Sequence, residues 1–282
     1  MKQDTLKILF FGDITGRLGR NAVKSFLASK ENDADFVIAN IENASHGFGL
    51  TKKNYLDLSA SGINCFTSGN HIWDKKDIYE YINESENLVR PINYPIGTPG
   101  RGSQIFELNG AKLAVINVLG RVFMPPMDSP WQIVVDEINN LKKQNVEHIF
   151  IDFHAEATAE KICFAKYLAK EFNNEENSLI KGFLGTHTHV QTADEQIING
   201  MAYITDAGFC GAVDSVIGME YSTSLKRLST SLPERYEIAE SDSAQINGVE
   251  VLIDRTKATH IRRINFNVSS KSEMEASFDS SG

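Results

Sequence analysis

Short apolar runs alternate with segments of helical periodicity through the first half of the chain, and this alternation constrains the fold more than any other feature. The predicted strands cover residues 6–12, 35–41 and 63–69. The predicted helices cover 17–31, 51–61 and 74–83, and Thr51 and Asp74 are the residues expected to open the last two. Such alternation indicates βαβ units and a parallel sheet with buried faces.

The second half of the chain adds further strands and helices in a less regular order. Asn109-Gly110 lies inside the apolar segment 103–118 and predicts a hairpin there. The remaining predicted elements are helices at 131–145 and 157–171, strands at 148–153 and 179–184, and a β-rich end around Asn199-Gly200 and beyond. No internal repeat or clear linker divides the chain. We therefore expect one domain over residues 1–268 and a polar, frayed tail at 269–282.

Composition limits the classes of partner and compartment. With 282 residues, 41% of them hydrophobic, the chain can bury a large core. The formal net charge of −9 argues against duplex nucleic acid or an anionic membrane as the main partner. Three scattered cysteines without CxxC spacing fit a reducing compartment and provide no thiolate zinc site. Because no apolar run is long enough for a signal peptide or a membrane span, we expect a cytoplasmic protein.

Polar side chains of the kinds that bind metals follow five of the predicted strands. In a parallel α/β fold, ligands bind outside the carboxyl ends of the strands, which share one edge of the sheet. The side chains at these ends are two carboxylates, two amides and four imidazoles: Asp13, Glu42, Asn43, Asn70, His71, His154, His187 and His189. Each one alone has an ordinary explanation, such as a helix cap or a turn residue. Eight of them at one sheet edge indicate a metal site.

The donor types narrow the choice of metal. Nitrogen and oxygen donors without a thiolate suit iron, manganese or zinc and are poorly suited to calcium. Eight donors exceed the three or four protein ligands that one catalytic metal usually takes. Two metals that share one carboxylate fit better. Such pairs clamp the attacking and leaving oxygens in phosphoryl transfer and activate a bound water.

The order of these motifs resembles that of the calcineurin-like metallophosphoesterases. Asp13, Glu42, "GNH" at 69–71, His154 and "GTHTH" at 185–189 come in the same order as in that superfamily. Longer stretches, among them "FGDITGRLGR", "NIENASHGFGLT" and "IDFHAEATAEK", are similar to the YmdB-like bacterial branch over nearly the whole chain. The resemblance implies an α/β fold, or α+β sandwich, in which two mixed sheets pack face to face between helices in four layers. It also implies cyclic-nucleotide phosphodiesterase activity.

The resemblance assigns a role to each motif residue. Two metal ions would be held by Asp13, Glu42, Asn43 and His189 at the first site and by Glu42, Asn70, His154 and His187 at the second. His71 would stay off the metals and act as the general acid.

Two positions depart from the superfamily pattern. Thr15 stands where a histidine is usual, and Glu42 replaces the usual aspartate. Asn43 would then supply the missing ligand. We expect two divalent or mixed-valence ions per chain, with iron first and manganese or zinc as alternatives.

The expected reaction is hydrolysis of a small phosphodiester, foremost a cyclic nucleotide of the cAMP type, by metal-activated hydroxide. His46, Arg90 and Arg121 are candidates for substrate contacts. The sequence predicts no membrane or duplex nucleic acid partner and is compatible with a homo-oligomer.

Three alternatives stay open at this point. A phosphomonoesterase of the same superfamily would use the same ligands. The glycines of segment 12–19 follow a strand and open a helix, as in nicotinamide-dinucleotide-binding oxidoreductases. Their spacing is not GxGxxG, however, and Asp13 would oppose a pyrophosphate. A binding protein with purely structural metals would be expected to use cysteines in a closed site, which this ligand set does not.

Overall fold

The chain folds into two β-sheets with helices on their outer faces. A computed structural model describes residues 5–29, 33–174 and 176–269, so most of the predicted tail lies outside the described residues. The strands are β1 (Leu6–Phe11), β2 (Asp13–Ile14), β3 (Phe36–Asn40), β4 (Cys65–Thr67), β5 (Ser103–Leu108), β6 (Ala111–Leu119), β7 (His148–His154), β8 (Ile180–Thr186), β9 (Gln196–Ile198), β10 (Met201–Ile204), β11 (Phe209–Ala212), β12 (Ser243–Ile253) and β13 (Ala258–Ser269). The helices are α1 (Gly16–Ala28), α2 (Lys52–Ser59), α3 (Ile78–Tyr81), α4 (Pro130–Lys143), α5 (Thr158–Phe172) and α6 (Tyr221–Thr230). None of these helices is long and apolar enough to span a membrane.

Both sheets are mixed. Sheet A has the order β2-β11-β12-β1-β3-β4, and β13 also pairs with β12. Its strands β1, β3 and β4 are parallel, as the sequence predicts, whereas β12 runs antiparallel to β1, β11 and β13. Sheet B has the order β5-β6-β7-β8-β10-β9. Its four central strands are parallel, and antiparallel β5 and β9 form its edges.

The antiparallel edges of sheet B arise from tight turns. The predicted hairpin at Asn109-Gly110 joins β5 to β6, and a second at Asn199-Gly200 joins β9 to β10. All four turn residues have positive φ, between 47° and 82°. Two-residue hairpins require such angles at both positions, which explains the Asn-Gly pairs.

The two sheets pack against each other over a shared apolar core. Ile8 and Phe10 of β1 pack in this core with side chains of sheet B such as Val115. Leu9 and Phe11 point to the opposite face and pack with the helices α1, α2 and α3. The outer face of sheet B packs against α4 and α5. The layers therefore run helix, sheet, sheet, helix, and the predicted four-layer sandwich is confirmed.

One predicted helix is wrong in extent. Thr51 caps α2 as expected, but the helix predicted at 74–83 is reduced to the four residues of α3. Asp74 closes a turn, because its N–H donates to the carbonyl of His71. Its carboxylate lies 2.9 Å from His71 Nδ1. The carboxylate of Asp77 accepts from the N–H of Lys52 at the start of α2. These acidic side chains therefore serve other parts of the fold, and the chain between β4 and α3 forms turns.

The glycine-rich segment 12–19 is explained by packing. A Cβ on Gly19 would lie 2.1 Å from the carbonyl oxygen of Cys210, so only glycine lets α1 approach β11 this closely. β2 and β11, which the sequence analysis did not predict, pair in parallel directly beside this contact. The nicotinamide alternative rested on these glycines and loses its main support.

Candidate metal centre

The predicted ligands converge at the carboxyl ends of strands from both sheets. Sheet A presents Asp13 in β2, Glu42 and Asn43 after β3, and Asn70 after β4. Sheet B presents His154 at the end of β7, with His187 and His189 after β8. The contacts among these side chains centre on two atoms, Nε2 of His154 and Oδ1 of Asp13.

The first group surrounds Nε2 of His154. Glu42 Oε1 lies 2.9 Å from this nitrogen, Asn70 Oδ1 3.2 Å, and His187 Nδ1 3.0 Å. All of these atoms can offer lone pairs, and one cation between them could bind all four. One donor atom each from Glu42, His154 and His187 lie within 4.8 Å of one another.

The other ring nitrogen of His154 is held by a buried network. The Thr186 hydroxyl donates to Asp152 Oδ1 at 2.6 Å and lies 2.8 Å from His154 Nδ1. Because its hydrogen is used on Asp152, this hydroxyl accepts from an Nδ1–H of His154. A histidine that donates through one nitrogen presents the lone pair of the other, which is the usual arrangement around a protein-bound metal.

The second group contains buried oxygens without a donor. Asp13 Oδ1 and Asn43 Oδ1 are buried and have no hydrogen-bond partner within the described part of the chain. His189 Nδ1 lies 2.8 Å from the carbonyl oxygen of Ile217 and so donates to it, which leaves the lone pair of Nε2 on the other side. That Nε2 is 4.0 Å from Asp13 Oδ1. Buried acceptors without donors are costly and rare. A cation between Asp13 Oδ1 and His189 Nε2 would satisfy both atoms, and Asn43 Oδ1 is a further buried acceptor, so these residues fit the implied metal.

The pKa values of these side chains are shifted by burial and by the charges of their neighbours. Burial acts to lower the pKa of His154, but Glu42 and Asp13 outweigh it and raise that pKa to about 9. Burial acts to raise the pKa of Glu42, yet His154 and His71 hold it at about 2. Burial, followed by repulsion from His154, lowers the pKa of His187 to about 3. Burial also raises the pKa of Asp13. This cluster attracts positive charge, and a metal ion would compete with the proton of His154.

The turn that carries the histidine pair is strained. His187 and His189 have φ values of 101° and 61°, which few non-glycine residues adopt. Such angles each cost about 1–3 kcal/mol and persist only where the surroundings impose them. The N–H of His187 donates to Asp13 Oδ2 at 3.0 Å, and that of Thr188 donates to Asp206 at 3.0 Å.

Two buried residues that hold this turn were missed by the sequence analysis. Lys161 is fully buried, and its ammonium donates to Asp206 and to the Thr186 carbonyl, each at 2.8 Å. The only sequence feature that could have identified Lys161 was the presence of a lysine on the apolar face of α5. Asp152 could have been identified more easily, because it lies two residues before His154 on the same strand face.

Gly69 of the "GNH" motif is required by its neighbours. A Cβ at this position would lie 2.3 Å from Glu42 Oε2 and 2.4 Å from the His154 ring. Only glycine allows β4 to deliver the next two residues this close to the ligands.

His71 sits beside the ligand cluster and apart from its centre. Its N–H donates to Glu42 Oε2 at 3.0 Å, and its ring Nδ1 lies 2.9 Å from Asp74 Oδ2. The ring also contacts Phe48 edge-on, with centroids 4.9 Å apart. These contacts fix the ring and leave Nε2 as the remaining nitrogen. His71 lines the same cleft as the ligands.

That cleft has a volume of about 370 Å³, within the range of small-molecule sites. Part of its lining is formed by Glu42, Asn43, His71, His187 and His189. Another part comes from segment 216–236, which contains α6 and which the sequence analysis left without structure or function. Nothing in the hydrophobic pattern of this segment had indicated that it folds against the ligands.

The three predicted substrate contacts lie outside this cleft. His46 is exposed in the loop after β3, where Phe48 lines the cleft instead. Arg121 is exposed, and its backbone N–H donates to Glu160. Arg90 is buried, and its guanidinium donates to the carbonyls of Pro91, Thr98 and Pro99. The structure therefore does not support a substrate contact for Arg90, because its donors hold the loop between α3 and β5.

Two mixed sheets whose strand ends converge on nitrogen and oxygen ligands define a metallophosphoesterase. More narrowly, the chain belongs to the YmdB-like family, whose model, described as YmdB-like protein, matches residues 9–264.

Known relatives agree with this membership. A 2′,3′-cyclic-nucleotide 2′-phosphodiesterase of Bacillus subtilis (strain 168) is 44% identical over 267 residues, covering 93% of this chain and 97% of that protein. A crystal structure of a phosphatase from Mycoplasma pneumoniae matches with a TM-score of 0.85 and 34% identity, over 97% of both chains. A 5′-nucleotidase structure from Staphylococcus aureus shares the fold at 11% identity, with a TM-score of 0.59 over 96% of this chain and 57% of that one. The predicted fold and the predicted class of enzyme, a phosphoric diester hydrolase, are confirmed.

Proposed function

We propose that this protein hydrolyses a cyclic nucleotide with two metal ions bound by the seven predicted ligands. The observation that carries the proposal is the pair of ligand groups beside one cleft. One group converges on His154 Nε2, and the other leaves Asp13 Oδ1 and Asn43 Oδ1 without donors. Glu42 is the candidate for the shared carboxylate, because it lies 2.9 Å from His154 Nε2 and its charge also acts on Asp13.

Metal ions bound here would polarise a phosphoryl group and make a nearby water more acidic. We propose iron as the metal, with manganese and zinc as alternatives, and the nitrogen and oxygen donors suit all three. The three cysteines are free, which accords with a reducing cytoplasm.

In this proposal His71 holds the proton that the leaving oxygen needs. Its Nδ1 faces Asp74, so its Nε2 is the atom that would donate to an alkoxide in the cleft. An alkoxide is a poor leaving group, and a positioned acid typically contributes 10²–10⁴-fold to its departure. Asp74 would keep the ring oriented.

The name of one relative indicates which isomer of the cyclic nucleotide to propose as the substrate. The B. subtilis relative is named for 2′,3′-cyclic nucleotides, so we propose this isomer ahead of a 3′,5′-cyclic nucleotide of the cAMP type. A phosphomonoesterase is the second candidate, because the M. pneumoniae relative is named a phosphatase.

A substrate panel tests the proposal. The protein would be loaded with a defined amount of Fe²⁺ or Mn²⁺ and assayed with 2′,3′- and 3′,5′-cyclic nucleotides, a linear diester and the corresponding monoesters. We expect the highest kcat/KM for a 2′,3′-cyclic nucleotide. A higher kcat/KM for the monoesters would favour the second candidate, and no turnover with any of these compounds would reject both.

A further inference from the structure

We propose that the apolar part of the cleft wall binds the heterocyclic base of the nucleotide. This base wall consists of Ile217, Met219, Ser224, Leu228 and Tyr236. The inference rests on the proposed function, because it assigns the base of that substrate to a surface of the same cleft.

The base wall is joined directly to the metal centre. The carbonyl oxygen of Ile217 accepts the Nδ1–H of His189 at 2.8 Å. Ile217 has a φ of 48°, a left-handed angle that is a true outlier for a β-branched residue. Strain of this kind is concentrated at functional sites. Here it directs the carbonyl to a metal ligand while the Ile217 side chain lines the cleft.

Tyr236 supplies a fixed aromatic surface. The guanidinium of Arg227 lies 4.7 Å from the centre of the Tyr236 ring, and it also donates to the carbonyl of Glu234 at 3.0 Å. This contact holds the ring in place from α6. Leu228 lies one helical turn after Ser224 in α6. It is 71% exposed although it lines the cleft. Aromatic and apolar surfaces at a cleft of this kind suit a flat heterocycle.

Ser224 provides the polar group of the wall. It is only 2% exposed, and its hydroxyl has no hydrogen-bond partner among the described residues. Buried hydroxyls are normally bonded, so this one requires an explanation. A hydroxyl can donate or accept, and the edge of a base offers both kinds of partner.

The composition of the wall argues against a second phosphate site. The described residues that line the cleft include no Lys or Arg. Arg227, which lies against Tyr236, is not among the lining residues and already donates to the Glu234 carbonyl. The phosphate is therefore expected beside the metal ligands, where cations would balance it, and the apolar part of the wall is left for the part of the substrate that carries no charge.

Paired substrates test this assignment. One is a nucleoside 2′,3′-cyclic phosphate, and the other is 1-O-methylribose 2′,3′-cyclic phosphate, which has the same reacting group and no base. For Tyr236→Ala we expect the ratio of kcat/KM between the two substrates to fall by about 5- to 100-fold, the usual effect of losing one base-stacking contact. Leu232→Ala, an exposed neighbour outside the cleft, is the matched control and should leave the ratio unchanged.

Ser224→Ala gives an independent readout. It should raise KM for the nucleotide several-fold and leave the melting temperature unchanged or slightly higher, because it removes a buried hydroxyl without a partner. If Ser224 were only structural, the substitution would lower the melting temperature and leave KM unchanged.

The outcomes separate the two proposals. If the wild type hydrolyses both substrates with equal kcat/KM, or Tyr236→Ala lowers both equally, the base wall is wrong and the proposed function stands. If the wild type hydrolyses neither, the proposed function itself fails.

Discussion

At the scale of single residues, substitution of His71 tests whether this histidine acts as the general acid without binding metal. His71→Ala should keep its metals and lose about 10²–10⁴-fold in kcat with an alkyl-leaving-group diester, because no acid would protonate the leaving oxygen. The loss should be much smaller with a p-nitrophenyl diester, whose leaving group needs little protonation. Kinetics with both substrates and metal analysis check this, with His260→Ala, an exposed histidine of β13, as the control. Equal losses on both substrates would exclude the acid role.

Glu42 tests the shared ligand. Glu42→Gln keeps the shape but removes a charge that lies 2.9 Å from His154 Nε2. We expect loss of at least one metal per chain and a fall in kcat on the order of a hundredfold or more. Glu240→Gln changes an exposed ion pair far along the chain and serves as the control. A Glu42→Gln protein with two metals and near-normal turnover would show that Glu42 is not shared.

At the scale of elements, the contact between α1 and β11 depends on the absence of a side chain. Gly19→Ala would place a Cβ 2.1 Å from the Cys210 carbonyl, so α1 must move away from sheet A. We expect a loss of roughly 1–3 kcal/mol in the free energy of unfolding, the usual cost of overpacking. Denaturant unfolding measures it, with Asn21→Ala on the exposed face of α1 as the control. Equal stability of the two variants would mean that the interface adjusts freely.

Strand β7 carries a pH-dependent element at the end far from the metal ligands. Burial, followed by repulsion from Lys181, lowers the pKa of His148 from its usual 6.5 to about 4. The unfolded chain therefore takes up this proton first as the pH falls. The contribution of neutral His148 to stability is complete above about pH 6.5 and is lost between there and about pH 4. As the pH falls across this interval, the melting temperature of His148→Leu should decrease less than that of the wild type. An identical decrease would show that His148 does not cause this pH dependence.

At the scale of the whole molecule, the metals should support both activity and folding. Chelation at mildly acidic pH, where protons compete for the histidines, should remove activity, and Fe²⁺ or Mn²⁺ should restore it. The metal-free protein should also melt at a lower temperature, because a ligand that binds only the folded state stabilises it. Activity, metal content and melting curves on the same samples check this. Full activity in rigorously metal-free protein would reject the metal hypothesis.

The sequence by itself indicated the βαβ units and a group of candidate ligands, because both depend on local patterns. Alternating periodicities identify strands and helices, and parallel strands bring their carboxyl ends to one edge. The four-layer arrangement and the assignment of Asp13 to His189 to two metals came from the resemblance of the motifs to a known superfamily. The same patterns also limited the metals, since residue type decides donor chemistry.

Only the tertiary structure decided what surrounds those ligands. Arg90 resembled a phosphate ligand in sequence, but its guanidinium is used by loop carbonyls. Ser224 and Tyr236 gave no sign of function, and they reach the cleft because segment 216–236 packs beside the histidine turn that follows β8. Such contacts join residues far apart in the chain, and their geometry depends on irregular segments that carry no periodic signal.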